Sequence, residues 1–168
     1  MYGISYPYGK PEVADFLTQR LAPDAKIFDV GAGSGTYRDL LGARHYEWSA
    51  IEIWEPAVEH LQTIYDHVYT GDIRTFVYPG TYDLIIFGDI LEHLSVKDAQ
   101  EVLATARAHS KSILVAVPYN YQQGPKYGNE AERHLQPDLT EAIFNERYPG
   151  FEPVYIIPNT YGYYYWHI

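Results

Sequence analysis

Short apolar runs alternate with segments of helical spacing along most of this chain. The runs that indicate strands are residues 26–30, 48–53, 68–70, 82–87 and 112–117. Helical spacing separates them, and Ser95 and Asp98 are placed as a capping pair ahead of one helix. Strands that alternate with helices and are apolar almost throughout indicate a parallel sheet with helices on both faces.

The carboxyl-terminal part follows a different pattern. Residues 138–148 are predicted as a helix with a cap at Asp138, and residues 151–157 and 161–168 as two strands. No crossover helix fits between these strands, so they must pair antiparallel. The predicted fold is therefore an α/β, doubly wound, seven-stranded and mostly parallel sheet that ends in an antiparallel hairpin. Residues 119–137 have no periodicity, which in a compact domain usually indicates a functional loop or lid.

The composition limits the function further. A length of 168 residues predicts one domain over residues 1–168, and 46% hydrophobic residues exclude a disordered chain. A net charge of −10 disfavours nucleic acid, and the absence of cysteine excludes disulfides, thiolate metal sites and a cysteine nucleophile. No apolar stretch approaches the roughly 18 residues of a membrane span, and residues 1–7 lack the features of a secretory signal. We therefore expect a cytoplasmic protein without membrane association.

Open parallel sheets bind ligands beyond the carboxyl ends of their strands, at the point where the strand order reverses. The first strand is followed there by Gly31, Gly33 and Gly35, which let the backbone turn tightly and approach a ligand. A plain strand-to-helix connection is the alternative interpretation of such a turn. The dinucleotide fingerprint requires a further glycine where this chain has Thr36, and 168 residues leave no room for a second substrate domain. Both observations argue against a nicotinamide dehydrogenase.

Acidic residues follow the next three strands. Glu52 ends the second strand about 20 residues past the glycines, where an acid can accept hydrogen bonds from two ribose hydroxyls. The alternative is that Glu52 complements the dipole of the next helix, as Glu55 could also do. Asp72 follows the third strand, where its carboxylate could accept a hydrogen bond from an adenine amino group, and Asp89 follows the fourth. Together these acids predict a pocket for a nucleoside. The chain has no GxxxxGK[ST] motif, so the pocket lacks the lysine that binds phosphate in that motif.

In this combination the chain resembles the class I S-adenosylmethionine-dependent methyltransferases. The sequence Asp29-x-Gly31-x-Gly33-x-Gly35 looks like the first motif of that family, and Glu52 matches its acidic position on the second strand. Residues 71–73 look like its adenine-contacting segment, and residues 89–93 resemble the D-x-L-E-H signature of many small-molecule members. The resemblance spans residues 10–118 and implies a Rossmann-like sheet with strand order 3-2-1-4-5-7-6.

The resemblance also implies S-adenosylmethionine as the cofactor and gives roles to the strand-end residues. Gly31 and Gly33 would pass under the methionine portion, Glu52 would hold the ribose hydroxyls, Asp72 would contact the adenine amine, and Asp89 would lie next to the sulfonium. The expected cofactor-binding residues are Asp29, Gly31, Gly33, Gly35, Glu52, Ile53, Asp72, Ile73, Asp89 and Ile90.

Two histidines are the candidate catalytic residues, since an oxygen acceptor needs a base and a near-neutral imidazole suits that task. His93 lies beside the end of the fourth strand, and His134 lies in the long loop. The alternatives are that His93 orients the loop or caps the following helix and that His134 is an exposed loop residue. The remaining histidines show no metal-ligand spacing, so we predict no catalytic metal.

The sequence predicts methyl transfer to a small-molecule acceptor, at oxygen or nitrogen. Residues 128–134 resemble a G-N-x-x-E-x-H segment of some bacterial methyltransferases associated with sugar or natural-product pathways. The absence of an Asn/Asp-Pro-Pro-Tyr segment after the fourth strand argues further against a nucleic acid acceptor. The alternative function is a non-catalytic S-adenosylmethionine-binding protein or partner subunit with a methyltransferase fold. Formation of a homodimer through the aromatic hairpin stays open.

Overall fold

The computed structural model describes residues 6–42, 45–126 and 128–168, so the predicted absence of a signal at residues 1–5 lies outside the described residues. The strands are β1 (Lys26–Val30), β2 (Glu47–Glu52), β3 (His67–Thr70), β4 (Leu84–Gly88), β5 (Ser112–Pro118), β6 (Glu152–Ile157) and β7 (Tyr161–His167). The helices are α1 (Lys10–Thr18), α2 (Thr36–Leu41), α3 (Glu55–Leu61), α4 (Val96–Ala108) and α5 (Glu141–Arg147). Two short 3₁₀ turns, Leu91–His93 and Glu130–Glu132, lie in the connections.

All seven of these strands belong to one sheet with the order β3-β2-β1-β4-β5-β7-β6. Strands β1 to β5 run parallel to one another, and β7 pairs antiparallel with both β5 and β6. The predicted fold class and strand order are therefore confirmed. Because β2 and β4 flank β1 on opposite sides, the strand order reverses there, and a crevice opens at the carboxyl ends of these strands.

The sheet separates two apolar cores. One core packs the sheet against α1, α2 and α3, and it includes Leu17, Leu41 and Leu61. The other packs it against α4 and α5 through Leu103 and Phe144. Strand β7 is buried on both faces, since its side chains alternate between the two cores. The tyrosines of β7 are therefore interior residues of the sheet.

Helix caps explain where two helices begin. The hydroxyl of Ser95 accepts a hydrogen bond from the backbone N–H of Asp98 (3.1 Å), which confirms the predicted start of α4. The predicted cap at Asp138 is wrong, because the hydroxyl of Thr140 caps α5 by accepting from the N–H of Ile143 (3.2 Å). The Asp138 carboxylate instead binds the guanidinium of Arg147 at the other end of α5, with N–O distances of 2.9 and 2.5 Å.

The described helices are short, and α4 is the longest of them with 13 residues. Within the described ranges no helix combines the length and the apolar composition that crossing a bilayer requires.

Substitution of Phe144 by alanine tests the core between the sheet and α5. The Phe144 ring is fully buried and stacks on Tyr164, with ring centroids 3.7 Å apart. We expect Phe144→Ala to lower the free energy of unfolding by roughly 3 to 5 kcal/mol, because it removes buried contacts and leaves a cavity. Urea denaturation measures this. Val77, whose side chain is 81% exposed, supplies the control Val77→Ala, which should change stability by less than about 0.5 kcal/mol. A loss for Phe144→Ala no larger than that of the control would contradict the packing described.

Candidate active site

A large cavity lies at the carboxyl ends of the parallel strands, with a volume of about 1050 Å³. Its lining includes all of the predicted site residues except Gly35. Gly35 instead precedes α2 with a φ of +85°, and a Cβ there would lie 2.6 Å from Ile64 Cδ1. The volume is at the upper end of the range for small-molecule sites, so the cavity has room for two ligands side by side.

The glycine loop after β1 forms one wall of the cavity. Gly31 and Gly33 have φ values of +63° and +56°, in the left-handed region that favours glycine. A Cβ on Gly31 would overlap the side chain of Ile90, which follows β4. The backbone of the loop thus passes close to the Ile90 side chain, and only glycine leaves room for that approach.

Glu52 connects this loop to the end of β2. One carboxylate oxygen accepts a hydrogen bond from the N–H of Gly33 (2.9 Å), and the other accepts from the N–H of Trp54 (2.8 Å). Burial raises the pKa of the Glu52 carboxyl, while these hydrogen bonds oppose the rise. Because Trp54 is the N-cap residue of α3, Glu52 contacts both the glycine loop and the start of that helix, and the alternative role at the helix stays open. Each oxygen retains a lone pair for a ligand hydroxyl.

Asp29 lies under the glycine loop and is almost fully buried. Its Oδ2 accepts a hydrogen bond from the hydroxyl of Tyr65 (2.6 Å). Burial raises the pKa of Asp29 from 3.8 to about 7, and the hydrogen bond from Tyr65 opposes that rise. The carboxyl group therefore titrates close to neutral pH.

Asp72 and Ile73 line the end of the cavity beside β3. The Asp72 carboxylate accepts hydrogen bonds from both the backbone and the guanidinium of Arg74, and this pairing lowers its pKa. Asp72 is thus already engaged, which the sequence did not predict. Ile53 follows the end of β2 and also lines the cavity, with 45% of the residue exposed.

Asp89 lines the cavity directly after β4. Its φ of +57° is a strained conformation for an aspartate, of the kind found at functional sites. Its Oδ1 accepts a hydrogen bond from the hydroxyl of Tyr161 (2.5 Å), which belongs to β7. Sequence reasoning missed Tyr161, and the signal that could have found it is the predicted position of β7 beside the end of β5.

His93 and His134 come together on the far side of Asp89, with ring centroids 4.7 Å apart. Nδ1 of His93 lies 3.3 Å from the carbonyl oxygen of Arg133, and Nδ1 of His134 lies 2.7 Å from that of Tyr121. Burial lowers the pKa of both imidazoles. His134 is only 8% exposed, so the alternative of an exposed loop histidine is wrong.

Glu92 is a further residue that sequence reasoning missed, although it stands next to His93 in the quoted signature. Its side chain is 1% exposed, and one of its oxygens lies 3.9 Å from Nε2 of His93. Burial and the nearby Asp89 carboxylate raise the pKa of Glu92 well above its usual value. Three side chains, rather than the two predicted histidines alone, therefore stand together in this part of the cavity.

Comparison with known families identifies the chain. Residues 28–112, half of its length, match the family model described as a methyltransferase domain. The chain belongs to the class I S-adenosylmethionine-dependent methyltransferase family, and its cofactor is S-adenosylmethionine. The residues present fit this cofactor, because the glycine loop leaves the space that a Cβ would fill and hydrogen-bond acceptors stand at successive strand ends.

Solved structures share the fold at low sequence identity. The N-terminal domain of EvdMO1 with bound S-adenosylhomocysteine (SAH) has a TM-score of 0.70 and 12% identity, covering 96% of this chain and 82% of that one. The DhpI–SAH complex has a TM-score of 0.71 and 13% identity, covering 92% and 81%. An S-adenosylmethionine-dependent methyltransferase from Clostridium acetobutylicum has a TM-score of 0.69 and 10% identity, covering 95% and 91%. No curated protein sequence matches the chain.

Substitution of Glu52 tests the cofactor end of the cavity. We expect Glu52→Ala to weaken S-adenosylmethionine binding about tenfold or more, or about 1.4 kcal/mol, because the ribose contact and the link between the two loops are both lost. Titration calorimetry measures the dissociation constant. Glu55→Ala removes an exposed acid three residues away and should leave the affinity unchanged. Equal affinities for both variants would contradict the role of Glu52.

The pKa of Asp29 predicts a pH dependence of stability. Between 3.8 and about 7 the folded protein retains a proton on Asp29 that the unfolded chain has released. The free energy of unfolding should therefore fall as the pH rises through this window, by up to roughly 1.4 kcal/mol per pH unit from this group. Asp29→Asn should reduce that fall, as measured by urea unfolding at about pH 5 and about pH 8. The exposed Asp24→Asn variant should keep the wild-type dependence, and an Asp29→Asn profile equal to it would refute the assignment.

Proposed function

We propose that the protein transfers the methyl group of S-adenosylmethionine to an oxygen or nitrogen atom of a small-molecule acceptor. The observation that carries the proposal is the pair of buried imidazoles, His93 and His134, in the same cavity as the glycine loop and Asp89. Such a cavity can hold a nucleoside cofactor at one end and an acceptor at the other.

The cofactor end is assigned to the residues that follow β1 to β4. Gly31 and Gly33 would contact the methionine portion, and the free lone pairs of Glu52 would accept hydrogen bonds from the ribose hydroxyls. Asp72 would share its carboxylate between Arg74 and the adenine amine, with Ile73 against the ring. Asp89 and Ile90 would border the reacting end. The cofactor itself supplies an electrophilic methyl group on a sulfonium, so the tasks of the protein are positioning and exclusion of water.

The acceptor end is assigned to the two histidines. Because a carbonyl oxygen only accepts hydrogen bonds, Nδ1 of each ring carries the proton, and Nε2 is left with its lone pair. A neutral imidazole whose pKa is lowered by burial is ready to accept a proton from an acceptor hydroxyl or amine. Described residues of the long loop, among them Tyr121, Gln123 and Lys126, line the same cavity, so the loop would help to exclude water from this end.

The acceptor class follows from charge and from the comparisons. A net charge of −10 disfavours nucleic acid and leaves a small molecule as the acceptor. A structure of the EvdMO1 N-terminal domain was obtained in the presence of SAH and D-fucose, which supports sugars as the first acceptors to try. The continuous sheet supports the interpretation of residues 1–168 as one methyltransferase domain. The cytoplasmic location stays a prediction.

The competing function is a non-catalytic S-adenosylmethionine-binding protein or partner subunit. The two functions differ at the acceptor end, because a binding protein has no need of two oriented, neutral histidines. Cofactor binding alone does not separate them, so the decisive measurement is turnover.

Release of SAH in the presence of a panel of sugars, phenols and amines tests the proposal. We expect wild-type protein to turn over with at least one acceptor, and His93→Asn to lower kcat by about 10²-fold or more, because the group that takes the acceptor proton is lost. The affinity for S-adenosylmethionine should change by less than about twofold. His167→Asn alters an exposed histidine at the end of β7 and should behave as wild type. Cofactor binding without turnover in the wild type would favour the binding protein instead.

A further inference from the structure

The strongest unassigned feature is the cluster formed by Glu92, His93 and His134. One carboxylate oxygen of Glu92 and one ring nitrogen of each histidine all lie within 4.8 Å of one another. Glu92 and His93 belong to the 3₁₀ turn after β4, whereas His134 is about 40 residues away in the long loop. The cluster therefore exists only in the folded chain, which is why sequence spacing predicted no metal site.

Both imidazoles are oriented in the way that metal-binding histidines are. Each donates its Nδ1 proton to a backbone carbonyl, that of Arg133 for His93 and that of Tyr121 for His134. This contact fixes the tautomer and leaves the Nε2 lone pair available as a ligand. The two rings stand nearly perpendicular, at 80°, rather than stacked.

One carboxylate oxygen of Glu92 is buried without a partner in the described part of the protein. Within residues 6–42, 45–126 and 128–168, its Oε2 is buried and has no hydrogen-bond partner. Nε2 of His93 is 3.9 Å from Oε1, which is too long for a hydrogen bond, and among the described residues the carboxyl accepts one only from its own backbone N–H. An unsatisfied buried polar atom is costly, and Asp89 and Glu132 add negative charge nearby while Lys126 adds positive charge. A bound cation would offset this excess of carboxylates.

The backbone around the cluster is fixed by hydrogen bonds. The carbonyl of Glu92 accepts from the N–H groups of Leu135 (2.7 Å) and Gln136 (3.1 Å). The side-chain amide of Gln136 donates to the carbonyls of Leu91 (2.8 Å) and Leu94 (3.1 Å). The loop that carries His134 is thus attached to the turn that carries the other two side chains, as a preformed site requires.

We propose that Glu92, His93 and His134 form a three-ligand site for a divalent transition-metal ion. Two imidazoles and a carboxylate are a donor set that suits Zn²⁺, and three protein ligands leave a fourth position for a ligand from the cavity. Bonds of about 2.1 Å in tetrahedral geometry place ligand atoms roughly 3.4 Å apart, so side-chain shifts of about an ångström close the site around the ion.

The metal site adds a way of binding the acceptor to the proposed function, and this role of the ion rests on the proposed function. The open position favours an acceptor with a hydroxyl group, because a divalent cation lowers the pKa of an oxygen ligand. Imidazoles that bind the ion no longer accept a proton, so metal binding would replace the role of His93 or His134 as the base. Metal binding itself does not depend on methyl transfer and is measured separately.

Calorimetric titration of metal-free, untagged protein with ZnCl₂ tests the proposal, together with the visible absorption spectrum after addition of Co²⁺. We expect one saturable site per chain and a Co²⁺ spectrum of a four-coordinate ion. His134→Ala and Glu92→Gln should each weaken Zn²⁺ binding by at least about tenfold and change that spectrum, because each removes a ligand. His167→Ala removes an exposed histidine outside the cluster and should bind like wild type.

The binding of S-adenosylmethionine, measured on the same samples, separates the outcomes. Wild-type protein that binds the cofactor but has no saturable Zn²⁺ site would overturn the metal site and leave the proposed function standing. Equal Zn²⁺ affinity in wild type, His134→Ala and Glu92→Gln would also overturn it, since binding would then lie elsewhere. If Glu92→Gln does not fold, His134→Ala and the wild-type titration still decide the question.

Discussion

The carboxylate of Glu52 is the contact on which the cofactor end of the cavity depends. Its two oxygens bind N–H groups of two different loops, one after β1 and one after β2, and so fix the distance between them. The same loop passes close to Ile90 at Gly31, where a Cβ would overlap that side chain. A buried carboxylate satisfied by backbone donors is also stiff, so the remaining lone pairs present a fixed pattern to a ligand. The same group therefore shapes the wall and, in the proposed function, would bind the ribose that lies against it.

Most of the architecture could be predicted because it is local. β1 is buried along nearly its whole length and ends at a glycine turn, so its limits agree with the predicted residues 26–30. Helix α3 ends at Leu61, and Ile64 and Tyr65 pack against the core from the turn that follows it. The cap of α5 was misplaced at Asp138 because the sequence does not show that Arg147 binds that carboxylate. Short-range sequence patterns were thus reliable for predicting helices and strands. They did not reveal that a residue distant in sequence binds a side chain that was predicted as a cap.

The cavity could be predicted in part for the same reason. Strand-end residues such as Gly31 and Glu52 follow from the order of the strands, which periodicity reveals. Tyr161 and Glu92 were missed, since their roles depend on contacts with Asp89 and His134, many residues away. The two histidines were found by their chemistry, but their closeness to each other was not. What the sequence lacks is the tertiary contact that turns separate polar residues into one site.

The position of β7 has a consequence for how the chain acquires its structure. β7 lies between β5 and β6, so β6 has no neighbouring strand until a later segment has been synthesised. The hydroxyl of Tyr161 on β7 also donates a hydrogen bond to Asp89, so this part of the cavity is completed by a strand that is synthesised after β1 to β6. Pairing over such long sequence separations is slow to form. A nascent chain that has not yet produced β7 would expose an apolar edge of β5. While this edge is exposed, aggregation or chaperone binding can compete with folding.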